Sequence, residues 1–266
     1  MNRISHLKIS SRKTLLALGL LTAGLAIAAG LPFDFTHTGN FKRMSLSGDT
    51  TGQATLSSLS QEPGTWGVGA TAGLKGEIIQ IDGRLLVSPG RAERGAVRPP
   101  AADEQVVLWA SARVTEWVEM ALPQDMDEAA FEAFVRQQAL ARGLSLDQPF
   151  PFRVKGAFPR LRWHVVTGEK SVNAAAGSGG HGGHGAHGGQ GGHGGHANTQ
   201  SGMKVFHDPG AKGRLVGIYS GAALEGVVSH PGERLHLHYA DDPATLSGHV
   251  DAYAVAAGAV LLLPVR

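Results

Sequence analysis

The chain has 266 residues, of which 42% are hydrophobic and 17% are charged, so it can bury a full core and has the composition of a globular protein. It contains no cysteine, which excludes disulfides, thiolate nucleophiles and cysteine-ligated zinc. The formal net charge is only +2, and four positive charges lie in the first 30 residues, so no basic surface for nucleic acid is expected.

The N-terminal segment, residues 1–30, contains an apolar run from Leu15 to Ala29 and no acidic residue. This pattern is typical of a secretory signal peptide, and the small residues Ala26 and Ala28 would permit cleavage. The run is also just long enough to stay as a membrane anchor. Without the basic residues of this segment, which are Arg3, Lys8, Arg12 and Lys13, the formal net charge of +2 becomes −2. We therefore expect an exported protein, periplasmic or extracellular, with residues 31–266 as its folded domain.

The first clear element is a β-hairpin in the segment GEIIQIDGRLLVSPG. Two apolar runs, residues 78–81 and 85–87, flank Asp82 and Gly83, the dipeptide best suited to a two-residue type I′ turn. A polar loop with a Pro-Pro break follows. After it, the segment VVLWASARVTEWVEM contains β-branched and aromatic residues in an alternating pattern. This second pattern predicts one or two strands.

One amphipathic helix is predicted in DMDEAAFEAFVRQQALARG. Asp125 can cap its N-terminus, because Glu128 follows three residues later. Gly143 is expected to end the helix. Its apolar face consists of Phe131, Phe134 and Val135.

Strand character returns in FPFRVKGAFPRLRWHVVTG, where Phe152 and Val154 alternate with Arg153 and Lys155. The segments GRLVGIYSG, LHLHYA and HVDAYAVAAGAVLLLP have the composition of further strands. A strand-rich chain with one clear helix predicts the α+β class rather than a doubly wound parallel sheet.

A low-complexity tract at residues 178–199 interrupts these strands. Glycine-rich sequence without buried apolar groups predicts a disordered insert. The tract contains five histidines, which are His181, His184, His187, His193 and His196. Two interpretations stay open: loose capture of Zn, Cu or Ni ions, or a flexible surface loop expanded by repeat slippage.

The segment LHLHYADDPATLSGHV carries the strongest indication of chemistry. On a strand, His236 and His238 share one face while the neighbouring leucines enter the core, and the two backbones stand roughly 6.6 Å apart, close enough to bind one ion. The loop formers in ADDPATLSG let the chain fold back and bring His249 beside them. Three imidazoles and an open fourth position describe a catalytic zinc site. The alternative is a polar sheet face that binds no metal.

Four segments resemble the acetolactate decarboxylase family in order and character: GLKGEIIQIDGRLLVSPG, FRVKGAFPRLRWHVV, GRLVGIYSG and PGERLHLHYADDPATLSGHV. The similarity covers most of residues 40–266 outside the glycine-histidine tract. The resemblance implies two packed mixed β-sheet subdomains, a homodimer, and binding of Zn²⁺ by His236, His238 and His249. It also implies that Glu77 is an active-site residue, although a glutamate at the start of a strand is more often a solvated carboxylate.

By this resemblance the chain decarboxylates 2-acetolactate to acetoin in a zinc-dependent reaction. Loss of carbon dioxide leaves an enediolate whose negative charge the metal would stabilise, while Glu77 manages protons. An export signal fits poorly with a substrate that arises in the cytoplasm. A related 2-hydroxy-3-oxo acid is therefore kept as a possible substrate.

The chain departs from the family pattern in two places. Where the family has an arginine, the strand FPRLRWHVV has His164, with Arg162 two residues earlier on the same face. Either residue is a candidate contact for the substrate carboxylate, and a packed or surface histidine is the alternative for His164. The sequence also stops at LLLPVR, before a family glutamate that approaches the metal. These departures favour a second hypothesis, an exported metal-binding protein that keeps the zinc scaffold without catalysis.

Overall fold

The computed structural model describes residues 33–169 and 202–265. The predicted signal peptide or anchor at residues 1–30 and the insert at 178–199 lie outside the described residues. Within the described ranges, no helix is long and apolar enough to cross a membrane.

The described residues form two α-helices and fifteen strands. The helices are α1 (Phe41–Ser47) and α2 (Glu128–Ala141). The strands are β1 (Asp34–Thr38), β2 (Ala54–Thr55), β3 (Thr65–Thr71), β4 (Gly76–Ile81), β5 (Arg84–Pro89), β6 (Gln105–Arg113), β7 (Trp117–Ala121), β8 (Met126–Asp127), β9 (Phe150–Phe158), β10 (Arg160–Val166), β11 (Met203–His207), β12 (Ala211–Tyr219), β13 (Leu235–Asp241), β14 (Ser247–Val255) and β15 (Val260–Pro264). This content confirms the α+β class.

The strands make two sheets. The first has six strands in the order β1-β6-β3-β4-β5, with β2 beside β6, and the second has nine in the order β11-β10-β14-β13-β12-β9-β15-β7, with β8 beside β14. The expectation of mixed sheets is wrong, because every strand pairing among the described residues is antiparallel. Hairpins and short connections give antiparallel neighbours, whereas parallel pairs need long crossovers.

The predicted hairpin is β4–β5, and its turn has the expected geometry. Asp82 and Gly83 have φ angles of 51° and 82°, and positive values at both central residues define a type I′ turn. The turn fixes the register in which Glu77 pairs with Ser88 and Ile79 with Leu86. Because side chains alternate along a strand, Glu77 and Ile79 share the face that meets the second sheet.

The second sheet lies between the first sheet and helix α2. On β9, Arg153 faces the first sheet, and its guanidinium carbon lies 3.9 Å from the centroid of the Trp66 ring. The alternate residue Phe152 faces α2, where its ring centroid is 6.2 Å from that of Phe131. This alternation decides which side chains of the neighbouring strands β12, β13 and β14 point toward the first sheet.

Helix α2 begins two residues later than predicted. The cap is Asp127, whose Oδ1 accepts a hydrogen bond of 2.9 Å from the amide of Ala130. The prediction that Asp125 caps the helix is wrong, because the Asp125 carboxylate accepts from the amide of Ala257 instead. Gly143 follows the helix with φ of 75°, which confirms the predicted end.

Helix α1 was not predicted from the sequence. It has only seven residues, with Asn40 as its N-cap and Gly48 in the left-handed region at its end. A helix this short is stabilised by packing more than by propensity. It buries Phe41 and Met44 against the end of the inter-sheet layer, so it closes one side of the site described next.

Candidate active site and metal centre

Strand β13 places two histidines on the face that meets the first sheet. His236 pairs with Ile218 and His238 with Val216 of β12. Val216 in turn pairs with Arg153, which faces the first sheet, so both histidines face it too. The intervening leucine, Leu237, points to the α2 side.

The third predicted histidine comes from the returning strand. His249 of β14 pairs directly with His238 across the ladder. The connecting loop is held by Asp241, whose Oδ1 accepts from the amides of Thr245 and Leu246 at 2.7 and 2.8 Å. One ligand atom from each of His236, His238 and His249 lies within 4.8 Å of the others. The three side chains predicted from spacing therefore do converge.

The convergent histidines are buried in their uncharged form. Burial, followed by repulsion from His230, lowers the pKa of His236 to about 3. Burial is also the main cause that lowers the pKa values of His238 and His249 well below their ordinary range. Neutral imidazole is the form that binds a metal ion.

Hydrogen bonding indicates which nitrogens are available. His236 Nδ1 donates to the carbonyl of Val228 at 2.8 Å, so Nε2 carries the ligand lone pair, and a second bond of this type orients a metal-binding ring. Both ring nitrogens of His238 are buried without a hydrogen-bond partner among the described residues. Buried polar atoms are nearly always paired, so the ring nitrogen that carries the lone pair fits a bound cation.

Glu77 reaches the histidines from the first sheet. Its Oε2 lies 3.7 Å from His238 Nε2 and its Oε1 lies 3.9 Å from His164 Nε2. The side chain is 5% exposed, so it is not a solvated carboxylate. Burial raises the Glu77 pKa to about 8; the nearby Asp251 charge adds to the rise, and the Val166 amide, which donates to Oε1, opposes it.

Of the two candidate contacts on β10, the structure brings His164 into the site and leaves Arg162 at its rim. His164 pairs with His249 across the ladder, and the two ring centroids are 5.0 Å apart. Its side chain is 6% exposed, whereas that of Arg162 is 41% exposed. His164 is therefore not a surface histidine.

Two further polar residues were missed from the sequence. Asp251 Oδ1 lies 2.7 Å from His164 Nδ1, and strand alternation from His249 could have found it. His230 lies in the loop before β13, with its ring centroid 4.1 Å from that of Phe41 and 5.6 Å from that of His249. No periodicity marks His230, because it belongs to no regular element.

These side chains surround a small cavity of about 40 Å³, which is room for a few water molecules at most. Its apolar wall comes from α1, β3, β6, β10, β11 and the turn between β3 and β4, and it consists of Phe41, Met44, Ala70, Leu74, Leu108, Val166 and Met203. Its polar wall consists of Glu77, His164, His230, His236 and His249. The arrangement suits a small polar ligand held beside one metal ion.

Comparison with known proteins identifies the family of the chain. Residues 41–175, about half of the chain, match the family model described as alpha-acetolactate decarboxylase. No curated protein has a matching sequence.

Solved structures share the fold at low sequence identity. Alpha-acetolactate decarboxylase from Bacillus subtilis strain 168 has a TM-score of 0.62 at 17% identity, covering 86% of this chain and 84% of that chain. Acetolactate decarboxylase from Bacillus subtilis subspecies spizizenii gives the same TM-score, identity and coverage. A Staphylococcus aureus protein of unknown function, similar to alpha-acetolactate decarboxylase, has a TM-score of 0.60 at 17% identity and equal coverage. The chain therefore belongs to the alpha-acetolactate decarboxylase family, a family of carboxy-lyases.

Proposed function

We propose that the protein catalyses the zinc-dependent decarboxylation of 2-acetolactate, or of a related 2-hydroxy-3-oxo acid, to acetoin or its counterpart. One observation carries the proposal: three buried neutral histidines converge beside a buried glutamate, in a chain of this family. The cavity is lined by both apolar and titratable groups, as a site for a small acid requires.

The residues fit a zinc ion. His236, His238 and His249 would hold it, since imidazole nitrogen is a preferred zinc ligand and three protein ligands are typical of a catalytic site. The unpaired nitrogens of His238 support this assignment. When bound, zinc supplies a Lewis acid that polarises oxygen atoms and favours negative charge on them.

Glu77 is the residue that we assign to proton handling. Decarboxylation of a 3-oxo acid leaves a carbanion that must take up a proton, and a buried carboxyl beside the cavity can deliver one. Its two oxygens lie between His238 and His164. From this position a proton at Oε1 or Oε2 can pass to a ligand in the cavity.

The remaining walls orient the substrate and keep water out. His164 is the residue that we assign to a polar contact with the substrate, because it lies at the cavity while Arg162 does not. The apolar side chains of α1 and β6 exclude water from the reacting atoms, which strengthens every electrostatic contact inside. We also propose export of the protein, on the basis of residues 1–30, and a homodimer, which cell fractionation and sedimentation would test.

The direct test is release of acetoin from racemic 2-acetolactate by the zinc-reconstituted protein. Metal content is measured in parallel, in a variant that lacks residues 178–199. One tightly bound ion per chain together with turnover supports the enzyme. Several weakly bound ions without turnover would instead support the second hypothesis, a non-catalytic exported metal-binding protein.

A further inference from the structure

An irregularity in the ladder between β10 and β14 places Asp251 in the wall of the site. Trp163 pairs with Val250, but Arg162 pairs with Ala252, so Asp251 is an extra residue on β14. A bulge of this kind bends its strand and redirects a side chain, and it is often found beside an active site. The Asp251 carboxylate consequently reaches His164 on the neighbouring strand.

The contact between Asp251 and His164 is short and buried. Oδ1 of Asp251 lies 2.7 Å from Nδ1 of His164, and the two side chains are 2% and 6% exposed. A carboxylate accepts hydrogen bonds, so the contact favours the tautomer of His164 that carries its hydrogen on Nδ1. It also orients the ring.

With Nδ1 directed at Asp251, the opposite edge of the ring faces the site. Nε2 of His164 lies 3.9 Å from Oε1 of Glu77, and His164 lines the same cavity as Glu77, His236 and His249. Nη1 of Arg162 lies 3.9 Å from the other carboxylate oxygen of Asp251. The Arg162 side chain, however, is 41% exposed and does not line that cavity. Of His164 and Arg162, His164 is thus the one presented to a ligand.

We propose that Asp251 is a positioning residue that holds His164 in one orientation and one tautomer, with Nε2 toward the substrate. A histidine needs such a partner here because, unlike the fixed fork of arginine, its ring can present either nitrogen in either tautomer. The same physical relation is known in hydrolases, where a buried carboxylate orients an imidazole and fixes its tautomer. The inference rests on the proposed function only in the identity of the substrate that meets Nε2.

The first test reads the tautomer in the full-length protein. Histidine is labelled with ¹⁵N, and the imidazole signals of His164 are assigned by their absence in His164→Gln. We expect the hydrogen on Nδ1 in both the metal-free and the zinc-loaded protein. A hydrogen on Nε2 instead would overturn the proposal, without any need for an Asp251 variant.

The second test changes Asp251 itself. In Asp251→Asn the amide can donate as well as accept, so we expect His164 to populate both tautomers. The kcat on acetolactate should then fall roughly 100-fold or more. Zinc content should stay at one ion per chain. Asp242→Asn is the matched control, because Asp242 is exposed in the loop of the same β13–β14 hairpin. It should change neither the tautomer nor kcat.

The outcomes separate this inference from the proposed function. Asp251→Asn with the wild-type tautomer and the wild-type kcat would refute the role of Asp251. If wild-type protein releases no acetoin, the proposed function fails, and the tautomer measurement still decides the inference. If Asp251→Asn does not fold, the wild-type tautomer decides it alone.

Discussion

Nitrogen-bearing side chains lie at two places in the described part of the layer between the two sheets, and their surroundings differ. At one place, the guanidinium of Arg153 is stacked between the rings of Trp66 and Trp117, 3.9 and 4.0 Å from their centroids. At the other, the nitrogens of His236, His238 and His249 point toward one another. A stacked cation is stabilised by the ring faces, whereas convergent imidazole nitrogens form a set of donor atoms that suits a metal ion.

Unpaired atoms alone do not distinguish the two places. Arg153 Nε also lacks a hydrogen-bond partner among the described residues, as do both ring nitrogens of His238. The difference is that the neighbours of Arg153 are ring faces, while the neighbours of His238 are further ligand atoms and the Glu77 carboxyl. Convergence of ligand atoms, more than burial, therefore distinguishes the candidate site from the Arg153 stack.

The largest effect is expected from His249→Ala. Loss of one of three ligands should weaken zinc binding by about 10³-fold or more and abolish turnover. Calorimetric titration of a variant lacking residues 178–199 measures the affinity. His207→Ala, at an exposed position of β11, is the control and should bind zinc normally. Tight binding that persists in His249→Ala would remove the metal from the β13–β14 pair.

Glu77→Gln should separate metal binding from chemistry. The amide keeps the shape of the side chain but cannot exchange a proton, so we expect kcat to fall by about 10²- to 10⁴-fold. Zinc content should stay at one ion per chain. Normal turnover in this variant would exclude Glu77 as the proton-handling group.

Trp66→Ala tests the structural end of the layer. Removing a buried tryptophan that stacks on Arg153 should lower the free energy of unfolding by about 3 kcal/mol. Zinc affinity should be unchanged, in contrast to His249→Ala. Urea unfolding and zinc titration of the same preparation measure both quantities, and a loss of zinc affinity would show that the two ends are coupled.

The Glu77 pKa also predicts a pH dependence of stability in the metal-free protein. Its pKa rises from the ordinary 4.5 to about 8 because of burial, so the folded state binds this proton more tightly than the unfolded chain does. The resulting stabilisation is complete below about pH 4.5 and is lost as the pH rises through about 8, at about 1.4 kcal/mol per unit of pKa shift. Metal-free Glu77→Gln should therefore have a higher Tm than wild type at pH 9. Equal values at that pH would contradict the buried, protonated carboxyl.

The smallest effect is expected from Asp127→Ala, which removes the cap of α2 on the far side of the second sheet. Loss of a single N-cap costs about 1 kcal/mol, and neither zinc binding nor turnover should change. Chemical unfolding measures the loss. Unchanged stability would show that Asp127 is not the effective cap.

Local sequence signals predicted much of the fold and the convergence of the three histidines. The Asp82-Gly83 turn and the HxH spacing of β13 are set by residues close together in the chain, and both predictions are confirmed geometrically. The prediction of the α2 cap failed because Asp125 and Asp127 have the same side chain. They are distinguished only by tertiary structure, in which Asp125 accepts from the amide of Ala257.

Other features depend on contacts that no local pattern encodes. Helix α1 is too short for helix propensity to predict it. His230 lies in a loop, where no periodic pattern marks it. The bulge that delivers Asp251 depends on how β10 pairs with β14, two strands that are far apart in sequence. Sequence alternation could place Asp251 near His249, but not against His164.

The way in which β10 and β11 are joined has a consequence for how such a chain can evolve. The two strands pair directly, and the amide of Thr167 donates to the carbonyl of Gly202 at 2.9 Å, so the chain leaves and re-enters the sheet at one point. Closing a longer connection costs little more than closing a short one, about 0.6 kcal/mol for each doubling of its length. Descendants of this gene can thus gain or lose repeats between the two strands while His164 keeps its place.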